Sequence, residues 1–202
     1  MQQILLRTSM IVLLLTGTLS AKPLPRLDPM THQDDKTPRV VMDTNFGRIV
    51  IELYAEKAPL TVQNFLHYVD SQHYDGTILH RVIADFMIQG GGYTPGMKEK
   101  PSRAPIKNEA SNGLSNDRGT ISAARTTNPD SATTQFFINT VDNKFLDRGN
   151  SPDKSGYCVF GRVIEGMDVV DRIRRVQTGQ HGGHRDVPLQ DVLIRSVRRL
   201  SK

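Results

Sequence analysis

Only two stretches of this chain space their apolar residues as a helix does, and that restriction governs what the rest can become. Val62, Phe65, Leu66 and Val69 recur at helical spacing behind Pro59, which suits a first helical turn. Val169, Val170, Ile173 and Val176 make a second stripe within residues 167 to 176, with Asp168 at its entrance. Every other apolar run is short, rich in branched and aromatic residues, and bounded by turn formers. Residues 40–43 and 48–53, joined through Thr44-Asn45-Phe46-Gly47, read as a hairpin. Residues 78–82, 86–89, 120–124, 135–139, 157–163 and 192–197 read as six more strands. A long loop rich in Pro, Gly, Asn and Ser separates Gly90 from Arg118. Many strands with two helices, in no regular alternation, argue for a closed or nearly closed antiparallel sheet covered by helices.

The N-terminal residues have a different character. Arg7 is the only charged side chain before Lys22, an apolar run follows at Met10 to Leu15, and small residues close it at Gly17-Thr18-Leu19-Ser20-Ala21. These are the parts of a secretory signal peptide, and the run is shorter than the ~20 residues a membrane span needs. Residues 1–21 are therefore expected to be removed after Ser20 or Ala21, leaving a periplasmic protein with no stable membrane association. No cysteine follows the run, so a lipid anchor is not expected. Residues 22–38 are polar and proline-bearing, a flexible leader, and residues 39–202 suit one domain.

Composition removes several other readings. Cys158 is the only cysteine, so stability must come from the core, and in Tyr157-Cys158-Val159-Phe160 it reads as a small buried side chain. The net charge of +5 has much of its excess late, from Arg172 to Lys202. No aromatic residues interleave with those cations as stacking platforms, so nucleic acid is not expected as a partner. There is no Gly-x-Ser-x-Gly elbow and no His-Glu-x-x-His helix. Met97 stands where a phosphate loop spaced like Gly91 to Gly96 requires lysine. His181 and His184 lie in a Gly-rich stretch without further ligands and read as a solvated loop, so no metal and no cofactor is expected.

The chemistry concentrates in Leu79-His80-Arg81-Val82-Ile83-Ala84-Asp85-Phe86-Met87-Ile88-Gln89-Gly90-Gly91-Gly92, which sets one cation among large apolar residues and stops in glycines. Alternation along strands puts Leu79 with Arg81, Met87 with Gln89, and Phe86 with Ile88 on the opposite face. An arginine, a glutamine and a methionine can thus share one surface, although an arginine in a strand is by itself an ordinary solvated edge residue. A second stretch runs from Arg118-Gly119-Thr120-Ile121-Ser122-Ala123-Ala124-Arg125 to Thr134-Gln135-Phe136-Phe137-Ile138-Asn139. There Gln135 and Phe137 share one face, and Phe136 and Ile138 the other.

Leu-His-Arg-Val-Ile, Phe-Met-Ile-Gln-Gly-Gly, Arg-Gly-Thr-Ile-Ser-Ala-Ala and Thr-Gln-Phe-Phe-Ile, in this order and at these distances, resemble the cyclophilins, the cyclosporin-type peptidyl-prolyl cis/trans isomerases. The likeness runs from about Val40 to Val197. Phe145-Leu146-Asp147 and Tyr157-Cys158-Val159-Phe160-Gly161 are most similar to the exported cyclophilins of Gram-negative bacteria. The resemblance implies a mainly β fold, an eight-stranded antiparallel barrel capped by two helices, with the site on its outer face. It implies a monomer that acts on proline-containing polypeptides and assists the folding of exported proteins. A chaperone that grips proline segments and catalyses only incidentally is the alternative. Arg81 matches the catalytic arginine and Gln89 its hydrogen-bonding neighbour. Phe86, Met87, Phe137 and Leu146 match the pocket for the proline ring, and Ala124 and Gln135 match peptide-binding positions. Phe145 and Tyr157 also belong to the substrate-binding set, but stand where many relatives have tryptophan and histidine. The first replacement implies weak cyclosporin binding. Arg125 stands where eukaryotic forms have asparagine.

Overall fold

The computed structural model of the protein describes residues 37–200; the expected signal peptide, and the leader as far as Lys36, lie outside the described residues. The chain opens with a hairpin of β1 (Arg39–Thr44) and β2 (Gly47–Leu53). Its turn is fastened by the Thr44 hydroxyl, which accepts from the amides of Phe46 and Gly47. Next come α1 (Pro59–Asp70), β3 (Thr77–Ile78), β4 (Arg81–Ile83) and β5 (Met87–Gly90). The long connection that follows contains a small hairpin, β6 (Tyr93–Thr94) with β7 (Lys98–Glu99). The chain continues through β8 (Thr120–Ala123), β9 (Phe136–Asn139), β10 (Val159–Glu165) and α2 (Met167–Ile173). It ends in β11 (Thr178–His181), β12 (His184–Pro188) and β13 (Leu193–Arg199).

The main sheet is antiparallel and has the order β3-β13-β1-β2-β10-β8-β9-β5-β4. Its two end strands, β3 and β4, are separated in sequence only by Leu79 and His80. The sheet therefore curls until one stretch of chain serves both of its ends, and with that stretch counted once the strands number eight. Inside lie Val40, Met42, Ile49, Ile51, Ile88, Ile121, Ile138 and Val197, all fully buried or nearly so. Helix α1 covers this interior with the stripe its spacing foretold: Val62, Phe65, Leu66 and Val69 are buried, and Phe65 meets Tyr74, Phe136 and Phe160. Helix α2 packs on β2. It stops at Ile173, three residues short of the expected end; Val176 follows in a turn that donates its amide to the Ile173 carbonyl. Cys158 is buried, and burial pushes its thiol up to about 11.

Two expectations of facing fail for one reason, that the strands are shorter than the runs that predict them. Leu79 and Arg81 do not point together: Leu79 is wholly inside and Arg81 faces outward, because the chain leaves strand geometry at Leu79-His80 between β3 and β4. Phe86 does not join Ile88 in the core either. It precedes β5, so strand alternation does not govern it, and it packs against the outer apolar cluster of Met87, Phe137 and Leu146. The stretch around His181 and His184 is also no loop: the two histidines pair across β11 and β12, with Gly182 and Gly183 at the turn, both at positive φ. A two-residue Gly-Gly connection suits a hairpin whose turn needs left-handed backbone.

Candidate active site

Strand register assembles the site. Arg81 lies opposite Gln89, Gln89 opposite Phe137, and Ile83 opposite Met87. Residues directly opposite share a face, and so do residues two apart. Arg81, Gln89, Met87 and Phe137 therefore occupy one outer face of β4, β5 and β9, while Val82, Ile88 and Ile138 line the interior behind them. Arg81 Nη1 donates to Gln89 Oε1 at 3.4 Å, and Gln89 Nε2 donates to Gln135 Oε1 at 2.9 Å. On its other side the guanidinium has Asp186 of β12, with 3.7 Å between Nε and Oδ2. Arg81 stays 39% exposed at the side chain.

Beside this row lies a cavity of about 190 Å³ walled by Phe86, Met87, Phe137, Leu146, Ala124 and Tyr157, with Arg81, Gln89 and Arg125 at its polar side. It is smaller than the ~300 to 1,000 Å³ of drug-sized pockets and suits a single ring. A network of buried amides holds its walls. The Phe86 carbonyl accepts from the Thr140 amide at 3.0 Å and from Asn143 Nδ2 at 2.8 Å, fixing the backbone that aims Phe86. Asn143 Nδ2 also donates to Asn139 Oδ1, and Asn116 Oδ1 accepts from Ser122 Oγ and Asn139 Nδ2. Asp147 takes the Asn116 amide and the Ser115 hydroxyl, and these donors hold its carboxyl below the usual range against the opposing effect of burial, the largest single influence on it. Leu146 and Tyr157 are tied by the Tyr157 amide donating to the Leu146 carbonyl.

The structure brings together nearly all of the residues read from the sequence. Gln135 reaches the site through Gln89 and lines the neighbouring cleft. Phe145 does not line the cavity; it is 54% exposed and stacks on Phe86 with ring centres 5.5 Å apart. Arg125, which the sequence reading left without a role, is built into the wall. Its side chain is only 4% exposed and pairs with Asp153 at 2.7 Å. Its Nε donates to the Gly156 carbonyl, its Nη1 to the Thr126 carbonyl, and its guanidinium lies 4.3 Å from the centre of the Tyr157 ring. The clue available in sequence was an arginine beside the motif with a tyrosine where relatives carry histidine; the ion pair across 28 residues was not readable. His80 was missed as well. It is buried, its Nδ1 has no hydrogen-bond partner among the described residues, and burial, His184 and Arg81 together push its pKa down to about 4.

A fixed cation beside an apolar ring-sized cavity on the outside of a curled antiparallel sheet defines a class of proline-handling proteins, and the comparisons agree. The family described as "Cyclophilin type peptidyl-prolyl cis-trans isomerase/CLD" matches residues 39–199, and the chain belongs to it. Peptidyl-prolyl cis-trans isomerase B of Escherichia coli is 58% identical over 159 residues, 78% of this chain and 97% of the relative. Peptidyl-prolyl cis-trans isomerase A of Dickeya dadantii is 51% identical over 163 residues, 81% of this chain and 85% of the relative. Among solved structures, a Cryptosporidium parvum cyclophilin crystallised in the presence of the dipeptide Ala-Pro superposes with a TM-score of 0.70 at 26% identity, covering 81% of this chain and 99% of that one.

Proposed function

We propose that this isomerase acts on proline-containing segments of exported proteins, with Arg81 as its catalytic residue and the 190 Å³ cavity as the seat of the proline ring. The observation that carries the reading is the position of Arg81, at the edge of the cavity and beside Gln89. Rotation about the bond before proline is opposed by amide resonance, a barrier of roughly 18–20 kcal/mol. Uncatalysed it takes ~10–100 s at 25 °C. No bond breaks, so the reaction calls for no nucleophile. As the amide twists, the proline nitrogen regains a lone pair that is tied up in the planar ground state. A donor aimed at that nitrogen strengthens only in the transition state, which is the requirement for catalysis. Arginine stays charged at any working pH and offers a planar fork of donors, so Gln89 can hold one arm while another reaches the substrate.

Magnitudes show why the cavity is needed too. A ten-thousand-fold gain corresponds to roughly 5.5 kcal/mol, and a hydrogen bond from a charged group contributes ~1.5–3 kcal/mol. The remainder is assigned to two effects of the apolar walls. They hold the ring while its neighbour turns, and the bound peptide covers a guanidinium that is 39% exposed in the free protein, lowering the dielectric around the bond. Action outside the cytoplasm is supported by the N-terminal residues with the pattern of a signal peptide. The proline peptide is taken up by a monomer in this reading. Cyclosporin binds weakly, since Phe145 offers no N–H where an indole would.

The test follows refolding of a periplasmic client with a slow proline phase, with wild type and Arg81→Ala. Acceleration by the wild type alone supports the reading. Equal suppression of aggregation by both proteins, without acceleration by either, replaces it with the holdase.

A further inference from the structure

A second and larger cleft, of about 580 Å³, opens on the other side of Arg81. It shares Arg81 and Gln89 with the proline cavity, so a polypeptide leaving that cavity past the arginine enters it. In extended chain a residue advances ~3.3–3.6 Å, which places the side chains within a few positions of the proline along this cleft.

Its outer wall is the hairpin β11–β12, and the wall is irregular in a telling way. Gly183, His184, Arg185 and Asp186 all line the cleft. Gly183 belongs to the turn, but a regular strand cannot present the three consecutive residues that follow it to one side, since its side chains alternate. The pleat breaks at Asp186, a non-glycine residue with φ +60°, in the left-handed region that residues other than glycine seldom adopt. The break leaves two neighbouring charges on the wall of the cleft, and they have different fates. Asp186 sets its carboxylate beside Arg81. Arg185 has no ion pair or hydrogen bond among the described residues, whereas three of the late arginines, Arg174, Arg198 and Arg199, pair with Asp171, Asp75 and Asp70. The cleft therefore has one uncompensated cation, continuous with a peptide-binding cavity.

We propose that this cleft is a recognition subsite for an acidic side chain of the substrate polypeptide within a few residues of the proline, with Arg185 as its counter-ion. The inference rests on the isomerase reading and adds a sequence preference to it. A pair at this exposed position is worth up to ~1 kcal/mol, which sets the expected discrimination at about fivefold, at ~1.4 kcal/mol per tenfold.

The test measures kcat/KM for peptides with an Ala-Pro core that carry Glu, Gln or Lys at each of the three positions on either side. With wild type, Glu is preferred over Gln about fivefold at one or two positions on a single side, Lys falls below Gln, and the difference shrinks in 0.5 M salt, where screening is strong. In Arg185→Glu the order inverts to favour Lys. Equal rates for the three peptides at every position, or a Glu preference that survives the charge reversal, overturns the subsite. Turnover of the neutral Gln peptides by wild type separates this failure from failure of the isomerase reading, in which none of the peptides is accelerated.

Discussion

Arg125 illustrates how much a single side chain can organise. Arginine is seldom buried unless each of its donors has a partner, and here Asp153, Gly156 and Thr126 supply partners while Tyr157 covers its flat face. Its work is to hold the Tyr157 ring, which meets Phe137 edge-on at 5.8 Å, as one wall of the 190 Å³ cavity. Arg125→Ala should cost about 2 kcal/mol in urea unfolding, since it strands two carbonyls and opens a gap. It should also raise KM for a proline peptide several-fold while leaving kcat within about twofold. Arg125→Lys should recover little, because an ammonium cannot pair, bridge two carbonyls and stack at once. A KM unchanged in both variants would mean that Tyr157 keeps its place unaided.

At the scale of elements, what could be read from the sequence was whatever repeats locally. The apolar spacing in α1 and the β1–β2 turn are local patterns, and the linked motifs around Arg81, Gln89 and Phe137 carried the site. What escaped depends on distant partners or on breaks in a pattern. The N-terminus of α1 shows the first kind. Ala58 offers no capping side chain, and the helix is closed instead by Glu109, whose carboxylate accepts from the amides of Leu60 and Thr61 and from the Thr61 hydroxyl at 2.7–3.1 Å. A carboxylate at this end meets both the orphan amides and the positive end of the helix dipole. Leu79 and Phe86 show the second kind: each sits where a strand is interrupted, and alternation carried across the interruption assigns the wrong face. The hairpin β11–β12 was hidden because its polar, glycine-bearing sequence has no buried face to betray it; of its nine strand residues only Val187 and Pro188 are buried. Glu109→Ala should destabilise the protein by about 1–2 kcal/mol, the usual cost of a lost cap. Glu109→Gln should cost less than Glu109→Ala. Chemical denaturation measures both, and equal stability of the alanine variant and wild type would show that water replaces the cap without penalty.

At the scale of the whole molecule, the described group with the largest bearing on acid stability is His80. Its pKa falls from about 6.5 in the unfolded chain to about 4 in the native protein, chiefly through burial. The unfolded chain therefore binds a proton that the native state refuses, so the contribution is fully present above pH 6.5 and is lost as pH falls towards 4. The shift corresponds to about 3 kcal/mol at most. His73, also lowered by burial, acts in the same direction, whereas Asp75, Asp147 and Asp153 have depressed pKa values and lose their contributions only as pH falls below the usual carboxylate range. Unfolding free energies of wild type should fall between pH 7 and pH 4.5, and His80→Gln should show a visibly shallower fall. Parallel curves for the two proteins would remove His80 as the cause.

These scales meet in one arginine, set by strand register beside a cavity that a network of amides holds in shape. The measurement that tests this most directly is cis/trans exchange of a short Ala-Pro peptide, followed by NMR with wild type and Arg81→Ala at matched, verified folding. Fast exchange with wild type and a loss of at least about a hundredfold in kcat/KM in the variant, with unfolding free energies within ~0.5 kcal/mol of each other, is the result expected. Undiminished exchange in a folded Arg81→Ala protein would contradict the assignment of catalysis to Arg81.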